Sequence, residues 1–107
     1  MIRMRRETER KTERKAAVAR LWQEHLDADF PARLRGVELA GIDMVLLDAD
    51  IAGCVSAWRN GEGSLDTGRR RILRLCIADL NTVLPLLTDE DDHEYYGRLH
   101  RLATLVS

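Results

Sequence analysis

Three aspartates within eight positions, Asp43, Asp48 and Asp50, are the first residues whose types invite chemistry, because clustered carboxylates hold cations or trade protons. On a helix Asp43 and Asp50 share a face at i,i+7, about 10 Å apart along the axis, too far to hold one ion together. Asp48 is the odder residue. Its angular neighbours are Ile51, Ala52 and Val55, so its carboxylate falls on a partly apolar face and needs a partner or a shifted pKa. An arginine from the adjacent helix, Arg69 or Arg74, would serve, and Asp48 with Arg69 is the candidate buried ion pair. A carboxylate with no clustered base points to structural pairing, not catalysis.

The other reactive types are sparse. His93 and His100 also stand at i,i+7, where zinc ligation wants i,i+3 or i,i+4, and are expected at the surface beside Tyr96. His25 lies within an apolar stripe of Val18, Leu21, Trp22 and Ala28. There it is either a packing residue or a pH-sensitive interface group. Cys54 and Cys76 sit in apolar helical patterns without a CxxC partner, which predicts reduced core thiols in a cytoplasmic protein. No nucleophile elbow, phosphate loop, dinucleotide fingerprint or HExxH is present. No catalytic residue, metal or cofactor is therefore expected.

Charge carries more information. Residues 1 to 20 hold eight basic side chains against three acids, while the remaining 87 residues hold nine basic and fifteen acidic groups. A formal net charge of −1 thus conceals a basic arm on an acidic body, an asymmetry that implies a partner. Arg3, Arg5, Arg6, Arg10, Lys11, Arg14 and Lys15 are the candidate partner-binding residues, able to lie along a phosphate backbone or an acidic protein face. Glu7, Glu9 and Glu13 are interleaved and no aromatic stands ready to stack on a base, which favours a solvated mixed-charge helix. Arg69, Arg70, Arg71 and Arg74 form a second basic cluster. A five-residue turn between two long helices fits a hairpin there better than a DNA-reading helix-turn-helix.

The elements that must position these residues are helices. From 65 to 84, Leu65, Ile72, Leu73, Cys76, Ile77, Leu80, Val83 and Leu84 fall on one arc, with Ser64 as the expected N-cap and Pro85 as the stop. Thr88 is the expected cap of the last helix, whose stripe runs Tyr95, Tyr96, Leu99, Leu102, Ala103, Val106. Residues 43 to 59 read as a helix apolar nearly all round, hence central, ended by a left-handed Asn60-Gly61. Its Ala49, Ala52 and Gly53 would admit a neighbouring backbone. The first helix covers about residues 6 to 28, but no apolar face begins before Ala16; Arg5/Glu9 and Glu7/Lys11 are its expected i,i+4 pairs. Residues 31 to 41 form a connector.

The expectation is an all-α, antiparallel up-and-down helical bundle without a sheet. It has three core helices plus an N-terminal helix, with residues 1–15 a basic solvated extension and 16–107 a single domain. Trp58 and Leu80 belong to its core. No apolar stretch reaches the roughly 20 residues a membrane span needs, and the charged N-terminus is no secretory signal. The function expected is association without catalysis, through a homodimer, an adaptor contact with another protein, or both. The alternative is a small nucleic-acid-associated protein using the basic arm, and the third reading is an enzyme of unrecognised type. No membrane partner is expected.

Overall fold

The computed structural model describes the backbone of residues 2–107 and the side chains of residues 7–107; the side chains of Arg3, Arg5 and Arg6 lie outside the described residues. Helix accounts for 77% of the chain. Helix α1 spans Ile2–Asp27, α2 Met44–Asn60, α3 Thr67–Val83 and α4 Glu90–Val106, with 3-10 turns at Ala32–Leu34 and Leu84–Leu86. The four helices form an up-and-down bundle. Helices α1 and α3 run one way and α2 and α4 the other: His25 late in α1 packs on Tyr95 early in α4, and the Cys54 thiol late in α2 donates to the carbonyl of Arg69 early in α3.

The helix starts differ from expectation by one or two residues. Asp66, not Ser64, caps α3, its carboxylate accepting from the Arg69 amide at 2.8 Å, while the Ser64 hydroxyl donates to the Gly61 carbonyl. Asp89, not Thr88, caps α4 by accepting from the amides of Asp91 and Asp92. In both cases an aspartate beside the weaker Ser or Thr candidate reaches an amide of the first turn with a charged acceptor. Asp43 is outside α2 and caps it, accepting from Leu46 at 3.0 Å. The turn after α2 is left-handed at Glu62 and Gly63, not at Asn60-Gly61.

Two further expectations are corrected. The connector between α1 and α2 contains a sheet, a ribbon of two antiparallel two-residue strands, β1 Glu38–Leu39 and β2 Ile42–Asp43. Its turn residues, Ala40 and Gly41, both have positive φ, the geometry whose twist matches a hairpin. The second correction concerns the central helix. Helix α2 is packed on more than one side, on α3 and α4, as expected, but it is not buried all round, for Val45 and Leu46 are exposed, and α4 packs more extensively on all three others. No backbone presses on Gly53, around which nothing lies within 4 Å of an added Cβ.

The core runs along α4, through Tyr95, Tyr96, Leu99, Leu102, Ala103 and Val106, against Val18 and Leu21 of α1, Ile51 and Val55 of α2, and Leu73 and Leu80 of α3. Trp58 and Leu80 are buried as expected. Cys54 and Cys76 are buried free thiols. No helix among the described residues is long and apolar enough to cross a membrane.

Candidate functional site

Asp48 sits where α1, α2 and α4 meet, and its partners are not arginines. The His25 Nε2 lies 3.1 Å from Asp48 Oδ1, and the Tyr95 hydroxyl donates to Asp48 Oδ2 at 2.5 Å. The expected Asp48–Arg69 pair does not form. In an antiparallel hairpin the start of α2 lies beside the end of α3, whereas Arg69 belongs to the start of α3. Arg69 instead bonds Asp66 at 2.6 Å, in the exposed first turn of its own helix. Arg74, the other candidate, makes no ion pair among the described residues.

The His25 ring is buried, stacked on Trp22 at 5.7 Å and tilted against Tyr95 at 5.1 Å. Its Nδ1 is buried with no hydrogen-bond partner in the protein. A tautomer protonated at Nε2 donates to Asp48 and leaves only a lone pair at Nδ1, which costs less than an unsatisfied buried N–H. Burial, reinforced by the bond to Asp48 and its charge, pushes the Tyr95 phenol far above its ordinary value, so the hydroxyl stays a donor. The neighbouring Tyr96 hydroxyl donates to the Met44 carbonyl at 2.7 Å. Chemically this is a locked side-chain network joining three helices.

Next to it, between the end of α1 and the start of α4, opens a recess of about 580 Å³. Phe30 and Tyr95 supply aromatic wall, with rings at 5.7 Å edge to face, and Asp29, Asp91 and Glu94 stand around it. Arg33 spans from Asp89, at 2.9 Å, to Asp92, at 3.2 Å. Asp92 is buried, and desolvation raises its pKa against the opposing effect of Arg33. Arg98 is held between Glu24 at 3.7 Å and Glu94 at 3.8 Å, too far for hydrogen bonds; its Nε and Nη1 are buried without partners. Asp29, Glu90 and Asp91 make no ion pair among the described residues.

The arm lies at the opposite end. Residues 7 to 16 of α1 are all exposed and the first buried residue among those described is Val18, so roughly 15 Å of described helix buries no side chain. Arg10, Lys11, Arg14 and Lys15 make no ion pair among the described residues. In particular the expected Glu7–Lys11 pair is not within bridging distance, and Arg5–Glu9 lies outside the described residues. At its base the arm meets the body: Arg14 and Arg70 line one recess of about 260 Å³ with Trp58 and Ser107, and the Lys15 stem lies beside Gly63. The two basic clusters of the sequence thus stand at the same end of the molecule.

The remaining reactive residues are scattered. His93 is exposed, and His100 Nε2 meets Asn81 Oδ1 at 3.0 Å. Asp43 is a cap and Asp50 is exposed. Burial raises both thiol pKa values, that of Cys76 to about 12. Phe30, Arg33 and Arg98 carry no sequence signal as a group; the one local signal at this end is the acidic run Asp89, Glu90, Asp91, Asp92, which complements the dipole at the start of α4.

Fold and site together define a small four-helix bundle with a projecting basic helix and an acid-lined recess at its far end. No protein-family model, curated protein or solved structure matches the chain.

Proposed function

We propose that this chain works by protein association, with a second copy of itself or with another protein, without catalysing a reaction, and that the projecting start of α1 is its contact element. One observation carries the reading: α1 continues as helix well before Val18, its first buried residue among those described, and there presents Arg10, Lys11 and Arg14, which make no ion pair among the described residues. A charged helix that buries nothing in its own bundle contributes little to stability, so its use lies outside it. The exposed Leu46, Val45, Ile72 and Leu75 of α2 and α3 offer further apolar contact area. In favour of a non-catalytic reading, the His25 ring is buried, stacked on Trp22, and its Nε2 is engaged by Asp48, which also accepts from Tyr95. The two buried free thiols favour a reducing compartment, the cytoplasm.

A second reading, nucleic-acid association, draws on a specific observation: Arg14 and Arg70 line one recess, so the arm and the α3 arginines form one basic end. The overall charge of −1 and the acidic far end weigh against it, since both repel a polyanion. Capture from nuclease-treated native lysate, using the full chain and residues 14–107 as baits at low and high salt, tests the choice. Protein association predicts protein bound by the full chain alone and released by salt. Binding that vanishes with nuclease treatment supports the nucleic-acid reading instead. Equal capture by both baits contradicts a role for the arm.

A further inference from the structure

The folded chain also sorts its charge in space, although Glu7, Glu9, Glu13, Glu62 and Asp66 are interspersed at its basic end and Arg33 and Arg98 at its acidic one. At one end stand Arg10, Lys11, Arg14 and Lys15 of α1 with Arg69, Arg70, Arg71 and Arg74 of α3, all exposed and brought together by the α2–α3 turn. At the other, the antiparallel folding gathers Glu24, Asp27 and Asp29 from the end of α1 with Glu90, Asp91 and Glu94 from the start of α4. The two ends lie apart along the bundle axis, about 15 Å from Arg14 to Glu24 and about 25 Å from Arg10 to Asp27 by the rise of α1. The formal net charge is nevertheless only −1, so no long-range self-repulsion opposes contact between copies.

The two ends also match in shape. One is a narrow, exposed helix whose described cations are unpaired. The other is concave, walled by Phe30 and Tyr95; Arg33 and Arg98 line it too and engage Asp92 and Glu94, but Asp29 and Asp91 make no ion pair among the described residues and leave it with an excess of acid. Guanidinium groups suit such a place twice over, because they bond carboxylates and stack on aromatic faces; Arg35 already lies 5.3 Å from the Phe30 ring.

We infer that the partner is a second copy of this chain, bound head to tail: the Arg10–Arg14 stretch of one copy lies on the acid-lined recess between α1 and α4 of the next. The inference rests on the association reading above and names its partner. Donor and acceptor are different surfaces, so the contact is heterologous. Each added copy leaves one free arm and one free recess, and the assembly grows unless a ring closes. Because the contact is largely ionic and exposed, salt weakens it.

Two single-ended variants test this. Arg10→Glu/Lys11→Glu/Arg14→Glu disables the arm and keeps the recess. Asp29→Asn/Asp91→Asn/Glu94→Gln disables the recess and keeps the arm, and its neutral recess gives the acidic arm of the first variant nothing to dock on. All six positions are exposed, and thermal melts establish that both variants are folded; Asp29→Asn/Asp91→Asn is the milder second version of the recess variant. Sedimentation is followed at about 0.02 M and about 0.5 M salt, well below and well above the ionic strength at which a Debye length spans a contact. The full chain should exceed twice its 12.2 kDa mass with rising concentration at low salt and return to monomer at high salt. Each variant alone should stay monomeric, and their equimolar mixture should form a 1:1 dimer that does not grow. A wild-type dimer that neither variant disrupts overturns the head-to-tail contact while leaving association standing. A monomeric full chain at low salt overturns it as well, and the lysate experiment then decides separately whether another protein is the partner. A mixture that remains monomeric beside an associating wild type also overturns it.

Discussion

Asp48 accepts from groups on two other helices, His25 of α1 and Tyr95 of α4, and its carboxylate is 14% exposed. Such a junction is costly to break on one side only, because the remaining buried group keeps its desolvation penalty. Tyr95→Phe should therefore lower stability by about 1–3 kcal/mol in a urea titration, although the ring volume is unchanged. An unchanged midpoint would mean that water replaces the hydroxyl at no cost. The two thiols give a second residue-scale expectation. With both pKa values raised by burial, Cys54 and Cys76 should react with a thiol reagent at neutral pH far more slowly in the native protein than in denaturant. Fast native reaction at either one would show that its helix opens locally. That Asp48 needed a partner was legible from its apolar angular neighbours. Which partner was not, because helix periodicity fixes the face of Asp48 but not which helix lies on it. The 28–43 connector, with its 3-10 turn and ribbon, decides that by bringing α1 against α4 beside the start of α2.

Each helix is defined by a stripe the sequence displays openly, and the four segments expected as helices are helices. Their caps were less legible, since Ser64 and Asp66, or Thr88 and Asp89, compete within two residues and the choice depends on the loop's approach. The ribbon at 38–43 was not legible at all: two-residue strands leave no alternation to detect, and Ala40 is no usual left-handed residue. The caps make a prediction with a sign. Hydrogen bonds from first-turn amides hold the Asp66 and Asp89 carboxyls below their ordinary values, with the Arg69 and Arg33 side chains assisting. A group whose folded pKa is depressed adds stability above its unfolded value and loses it as pH falls through the folded one. Both caps should accordingly weaken as pH drops below the ordinary carboxylate range, about 3.9 for aspartate. Asp89→Asn should lower the melting temperature less at acid pH than at neutral pH, while Ser64→Ala and Thr88→Ala should shift it little at either. Packing supplies the larger energies: Trp58→Ala should cost about 3–5 kcal/mol and Leu80→Ala about 2–5 kcal/mol by denaturant titration. Smaller losses would place those faces outside the rigid core.

At the scale of the whole molecule, the split between a basic start and an acidic remainder was visible in composition. What composition could not show is that the acidic remainder is itself divided. Arg69–Arg74 join the arm and Asp89–Asp92 stand at the far end only because α3 and α4 are antiparallel and α1 is antiparallel to α4. Function stays least legible for the same reason, as surface charge is positioned by tertiary arrangement and not by any local pattern. The central claim is that the start of α1 holds one copy of the chain to the next. Light scattering on the full chain and on residues 14–107, at matched concentration across a salt series, tests it most directly. The account predicts a mass above 12.2 kDa for the full chain at low salt, falling to monomer as salt rises, and a monomer throughout for residues 14–107. The same mass for both chains at every salt concentration would contradict it.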